Sequence, residues 1–197
     1  MNVETDPVEE PRLDAGGFTE WLTGIQAALR GEGGVSVPCG TCTACCTSSQ
    51  FVHVEPDEHE TLAHIPVELL FAAPHLPAGH MVMGYDERGH CPMLVDGACS
   101  VYEHRPRTCR VYDCRVFSAS GVEVDDPAKD AIARRVRRWE FRFPTDQDGA
   151  DLRSVRAAAA SVGGEIDATR RSLLAITTHV PGKTGKPFSS GSDGQPS

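Results

Sequence analysis

Apolar residues at Phe18, Trp21, Leu22, Ile25 and Leu29 recur at intervals of three and four. This is the stripe of an amphipathic helix, and Gly31 stands where such a helix ends. Residues 1–16, ahead of it, are acidic and poor in apolar side chains, the composition of a disordered arm. Phe51 to Val54 reads as a strand. Glu55-Pro56-Asp57-Glu58 reads as a helix start, with Pro early and acids in the first turn; the helix runs through Leu62 and Ile65 and breaks near Pro66. Val67 to Ala73 supplies another turn or two, residues 74–80 a loop, and Met81 to Tyr85 a second strand. Asp96-Gly97, between Met93-Leu94-Val95 and Ala98-Cys99-Ser100-Val101, is a two-residue hairpin signal. Further on, Asp126 caps and Pro127 opens a helix bearing Ala131, Ile132, Val136 and Trp139. A second helix carries Leu152, Val155, Ala159 and Val162 and ends at Gly163-Gly164. A third carries Ile166, Leu173, Leu174 and Ile176. From Pro181 the chain is Gly, Ser, Pro and Lys, a disordered tail.

This pattern predicts an α+β fold with short strands. A disordered acidic arm (1–16) leads to an N-terminal helix and connector (17–36), an irregular cysteine-rich module (37–118), a C-terminal helical extension (119–180) and a tail (181–197). The apolar fraction of 40% predicts a modest core. Charge divides along the chain: residues 1–99 hold 15 acids against 3 bases, and residues 100–142 hold 7 against 10. With a net charge of −9, nucleic acid and anionic membranes are poor partners. A metal ion and a protein are the partners expected. The first residues lack the basic and apolar regions of a secretory signal, and no apolar run has the length of a membrane span. The expected compartment is therefore the cytoplasm, where thiols stay reduced.

The cysteines change the picture. All eight lie between residues 39 and 114, as Cys39-x2-Cys42-x2-Cys45-Cys46 followed by Cys91, Cys99, Cys109 and Cys114. A reducing compartment disfavours disulfides, which leaves metal ligation as the leading chemistry. Two thiols separated by two residues can face one tetrahedral ion, as in zinc knuckles. Three at this spacing also suit a cubane iron–sulfur cluster. Soft thiolates accept zinc and iron alike. Adjacent residues point in different directions, so Cys45 and Cys46 are expected to serve different metals, or one of them none. In an ideal hairpin about Asp96-Gly97, Leu94 faces Cys99 and Cys91 faces Tyr102, so Cys91 and Cys99 project to opposite sides. Either one or two metal sites follow. His53, His90 and His104 are the histidines nearest the cysteines in sequence and could complete a Cys3His site. Arg105, Arg107, Arg110 and Arg115 interleave with Cys109 and Cys114 and either offset thiolate charge or pair with Glu103 and Asp113.

Cys39-Gly40-Thr41-Cys42-Thr43-Ala44-Cys45-Cys46, Cys91-Pro92-Met93-Leu94, Gly97-Ala98-Cys99-Ser100-Val101-Tyr102 and Arg105-Pro106-Arg107-Thr108-Cys109-Arg110 together resemble the CxxCxxCC cysteine-cluster family, also described as the YkgJ family, over roughly residues 38–118. The resemblance implies a metal-binding protein that chelates zinc or iron, the latter including an iron–sulfur cluster, through these cysteines. The flagellin lysine methylases look similar in their cysteine cluster, which implies a second reading, an iron–sulfur enzyme that modifies protein. Catalytic residues are not identified by the resemblance, and no glycine-rich turn for a methyl donor is present. A third reading is an interaction adaptor whose metal is structural.

Two other groups carry weaker signals. Arg134-Arg135-Val136-Arg137-Arg138-Trp139-Glu140-Phe141-Arg142 is the one basic run, expected as the wet face of a helix. Asp57, Glu58 and Glu60 with His59 and His64 are expected as an acidic first helical turn. The spacing x2 before x2 departs from the x3-then-x2 of radical-SAM enzymes, and no βαβ context supports a thioredoxin-like pair.

Overall fold

The computed structural model describes residues 10–163 and 166–179. The expected tail at 181–197, the first part of the expected arm and the helix stop at Gly164 lie outside the described residues. The elements in chain order are β1 (Leu13–Gly17), α1 (Phe18–Leu29), β2 (Val52–Val54), α2 (His59–His64), β3 (Leu70–Ala72), β4 (Met81–Met83), β5 (Leu94–Val95), β6 (Ala98–Cys99), α3 (Arg107–Val111), α4 (Arg115–Ser120), α5 (Asp130–Arg138), β7 (Trp139–Arg142), α6 (Asp146–Ser161) and α7 (Ala168–Thr178). The fold is α+β, with helices at both ends.

Two apolar cores divide the molecule. The larger gathers Phe18, Trp21, Leu22 and Ile25 of α1 with Val116 and Phe117 of α4, Ile132 of α5, Trp139 of β7, Val155 of α6 and Ile176 of α7. The helical stripe read from the sequence is the face α1 buries here. Each fully buried phenylalanine contributes on the order of 1.5–3 kcal/mol of transfer free energy. Helix α1 stops in a Schellman arrangement, with Gly31 N–H donating to Ala28 O (3.0 Å) and Glu32 N–H to Ala27 O (3.0 Å). At its other end, Asp148 accepts from Thr19 N–H (2.9 Å) and Asp151 from the Thr19 hydroxyl (2.9 Å), which ties α1 to α6. Asp148 also completes a capping box with Thr145. The N-terminal helix and the C-terminal helices that flank the cysteine module thus share one core.

The smaller core is Val52, Val54, Ile65, Met83, Met93 and Val101. It lies under a three-stranded antiparallel sheet in the order β2-β4-β3. The segment Val67–Ala73, expected as helical turns, is one 3-10 turn at Val67–Leu69 followed by β3. The hairpin β5–β6 pairs Leu94 with Cys99 and Val95 with Ala98, the expected register. Asp96 and Gly97 both take positive φ (50° and 77°), as a type I′ turn requires.

Two expectations are corrected at the molecule's edge. Residues 13–16, read as part of a disordered arm, belong to β1, which pairs in parallel with β7 and carries a register shift between Asp14 and Gly16. Trp139, read as the last inward residue of α5, instead opens β7. Its backbone turns extended (φ −71°, ψ 128°), which lets it pair with Leu13.

Candidate metal centre

The first four cysteines sit on an irregular loop between the two cores. Cys42 N–H donates to Cys39 O (3.0 Å), and Cys46 N–H to Thr43 O (2.8 Å). Ala44–Thr47 is a 3-10 turn, in which successive side chains diverge by about a third of a revolution. Small residues between the cysteines make so tight a path practicable. The loop is fixed from the far side: Cys91 N–H donates to Cys46 O (2.7 Å) and Ser49 N–H to Gly89 O (2.8 Å). Gly89 takes a φ of 79°, the left-handed region that favours glycine, and a Cβ there would also crowd the Ser49 hydroxyl.

Cys91 precedes β5 in a turn closed by Leu94 N–H to Cys91 O (2.9 Å), and Cys99 ends β6. The ladder is two residues long on each side, so strand alternation does not extend to Cys91. Cys91 and Cys99, expected on opposite sides, both face the same cleft. Cys109 lies on α3, which docks on β2 through the Thr108 hydroxyl donating to His53 O (2.8 Å). Cys114 precedes α4, inside the larger core.

All eight cysteines line one cleft of about 650 Å³, and all eight are free thiols. They are spread along its walls. As placed, no three Cys, His, Asp or Glu side chains among the described residues are grouped to hold one ion. Side-chain rotation about χ1 is the freedom available to gather them.

Their electrostatics follow from crowding in a partly apolar wall. Burial pushes the Cys109 and Cys114 thiols up to about 12 and raises Cys39 and Cys91, with neighbouring thiols adding to each. Cys45 and Cys46 stand with sulfurs 4.0 Å apart. Sharing a proton lowers Cys45 and raises Cys46. A set of thiols so hard to ionise together calls for a cation before it becomes thiolate.

The donors around the cleft fit that need. Trp139 Nε1–H donates to Cys114 Sγ (3.2 Å). Arg135 Nη2–H donates to Pro38 O (3.2 Å) and Cys39 O (3.3 Å), and its charge favours ionisation of Cys39. Arg105 stacks 3.7 Å above the Tyr102 ring and favours ionisation of Cys45 and Cys109. Among the described residues, two buried donors in the wall have no partner: the Tyr112 hydroxyl and Arg135 Nε. Burial, then the Cys114 and Cys45 charges, hold the Tyr112 hydroxyl well above its usual value. A protonated, unpaired hydroxyl beside thiols is placed to donate to thiolate. The donor set is soft, sulfur-only and ringed by hydrogen-bond donors, and suits zinc or an iron–sulfur cluster.

Sequence reasoning missed Tyr112, Arg135 and Trp139. Tyr112 lies between Cys109 and Cys114, a proximity that could have singled it out. Arg135 and Trp139 reach the cleft only through tertiary folding.

The remaining candidates have other work. Among the described residues, no histidine lines the cleft. His53 Nε2 meets His80 Nδ1 at 3.0 Å, and His104 stacks on His64 with ring centroids 3.6 Å apart. Arg107 pairs with Glu55 and Asp57, and Arg110 with Glu58. Glu58, from the acidic helical turn, is buried and accepts from Arg107 N–H (2.5 Å), at the start of α3. Arg115 forms a buried pair with Asp113 (2.8 Å). The same Arg115 donates to Ala15 O (3.1 Å) and Ser36 O (3.0 Å), and Asp113 accepts from Trp21 Nε1–H (2.7 Å). This network clamps both neighbours of Cys114. The basic run lies at the surface, as expected, and much of it is paired within the chain: Arg138 with Glu10, Arg142 with Asp14 and Arg134 with Asp130.

No helix of the described residues is long and apolar enough to cross a membrane. Residues 38–131 fit the family described as "CxxCxxCC: Putative zinc- or iron-chelating domain". No curated protein and no solved structure matched. The matched segment holds all eight cysteines and runs on through α4 into α5, and over these residues the chain is similar to that family.

Proposed function

We propose that this protein binds metal through thiolates of Cys39, Cys42, Cys45, Cys46, Cys91, Cys99, Cys109 and Cys114, as zinc or as an iron–sulfur cluster. One observation carries the reading: cysteines from a loop, a turn, a hairpin and two short helical segments line one cleft as free thiols. A buried structural thiol has no reason to be near seven others. Bound metal would supply the cation that lets these thiols ionise together. Arg105 and Arg135 would offset the excess negative charge of a multi-thiolate site, and the Tyr112 hydroxyl would donate to sulfur. The chain's own residues thus orient the sulfurs and exclude water on the sides of the two apolar cores.

Anaerobically purified protein assayed for zinc, iron and acid-labile sulfide tests this. Stoichiometric metal is expected. A colourless protein holding zinc alone excludes the cluster, and a brown one with sulfide excludes zinc as the sole metal. Metal-free protein, with free thiols whose replacement by serine leaves folding unchanged, overturns the proposal.

A further inference from the structure

The three-stranded sheet buries one face and turns the other outward. Val52, Val54 and Met83 point into the smaller core. Alternation along the strands sends Phe51, His53, Val82 and Phe71 to the opposite face, where His53, Val82 and Phe71 stand in one cross-strand row. Three rings gather at one end of this outer face. Phe51 is 61% exposed, Phe71 45% and Tyr85 41%. Phe51 meets Phe71 edge-on (centroids 6.3 Å apart, 90°) and Tyr85 at a tilt (5.0 Å, 51°). Gly84 lies beneath them. A Cβ there would stand 3.7 Å from the Phe71 ring and 3.8 Å from the Phe51 ring, so its absence leaves the floor between the rings bare. Large rings grouped in solvent mark an interaction site.

The charge around the rings indicates the partner. Residues 51–99 carry eight acids and a single Lys or Arg, Arg88, which is held by Asp86 (3.1 Å). Glu68 and Glu87 are exposed. Both lie at the ring end of the sheet, Glu68 two residues ahead of β3 and Glu87 just past Tyr85 as the chain leaves β4. The cation–π pairs of the described residues use Trp21, Tyr102 and Trp139, none of them in this cluster. The sheet also has an open edge beside the rings. Its order, β2-β4-β3, gives β3 a neighbour on one side only, and Phe71 stands in that edge strand. An edge strand can take up an extended segment of another chain.

We propose that this aromatic face docks an extended basic segment of a partner protein, which runs along β3 and lays arginine or lysine side chains over Phe71, Phe51 and Tyr85, with Glu68 and Glu87 as counter-charges. Stacking of a cation on the ring faces supplies the recognition, and the acidic surroundings steer the approach. A planar, weakly hydrated guanidinium suits the rings better than an ammonium. Phe51 also lines the cysteine cleft, so the docked segment lies beside it.

Fluorescence anisotropy tests this, with the full chain as purified titrated into a labelled hexapeptide of alternating arginine and valine. A matching peptide with glutamate in place of arginine serves as the comparison. Saturable binding of the arginine peptide alone is expected, weakened about tenfold by Phe71→Ala. Phe71→Leu keeps an apolar side chain at this exposed position, and with it the fold, and should weaken binding as well because it lacks a ring. Glu68→Gln with Glu87→Gln should weaken binding and flatten its salt dependence, whereas Glu123→Gln, at an exposed acid outside the sheet, should change neither. Equal binding of the two peptides, binding of neither, or arginine-peptide binding unchanged in a folded Phe71→Leu overturns the proposal. Self-association of the chain in sedimentation velocity, abolished by Phe71→Leu, overturns it too, by assigning the face to a second copy.

Discussion

The two walls of the cleft are held by different means. The large-core wall is backed by α1, α4, α5, α6 and α7, with two phenylalanines and two tryptophans among its buried residues. The small-core wall rests on three strands of three residues each, a two-residue hairpin and six buried apolar side chains, the largest of them methionines. A core of that size falls short of the conformational entropy of the segment it orders. The first wall can stand on packing, whereas the second has little packing beyond these side chains. Metal in this cleft would therefore act as a structural element for one wall and as a ligand for the other.

Chelation is the largest perturbation of this contrast. Structural metal supplies on the order of 10 kcal/mol to a small thiolate module. Its removal is expected to abolish amide-exchange protection in β2, β4 and the β5–β6 hairpin while α1, α6 and α7 remain protected. Simultaneous loss from both regions would mean that they unfold as one unit. Next in size is Arg115→Ala, which strands buried Asp113 and cuts the bonds to Ala15 and Ser36. Breaking a buried pair costs about 3–5 kcal/mol, and here the loss should appear as a lower thermal midpoint for the large-core helices. An unchanged midpoint would show that the clamp is dispensable. Thr145→Ala removes the α6 cap and should cost about 1 kcal/mol, read from the urea midpoint, with metal content unchanged.

The smallest effect is one of pH. The Thr145 hydroxyl, then Thr19 N–H, hold Asp148 down to about 2. A carboxyl lowered in the folded state stabilises fully above its unfolded value near 4 and loses that contribution as pH falls through about 2. Urea midpoints of the large-core region should decline over that window, and Asp148→Asn should flatten this part of the profile. An identical decline in the Asn variant would assign the acid sensitivity to other carboxyls.

Much of the large-core wall was legible because its signals are local. The apolar stripe of α1 and the Asp126 cap are each written within a few residues, as is the Asp96-Gly97 turn on the other wall. The parallel pair β1–β7 was not, for its partners lie at opposite ends of the chain and β1 contains two glycines, an alanine and an aspartate. Trp139-Glu140-Phe141-Arg142 did alternate apolar and polar, a period-two signal overridden by the helical pattern preceding it. In the cleft, the sequence showed which residue type mattered and the structure supplied the grouping. Hairpin phase failed for Cys91 because the ladder ends before reaching it. Tyr112 and Arg135 came to notice only once the fold left their donors buried and unpaired.

The β1–β7 pair also bears on the order of events as the chain forms. Arg138 donates to Pro11 O across 127 positions of sequence, so this ladder closes a loop of nearly two-thirds of the molecule. Closure entropy delays contacts of such range, and β7 leaves the ribosome after every cysteine. The last cysteine has then emerged while the bed of Cys114 is still unmade, and the parallel pair is the final latch of the larger core.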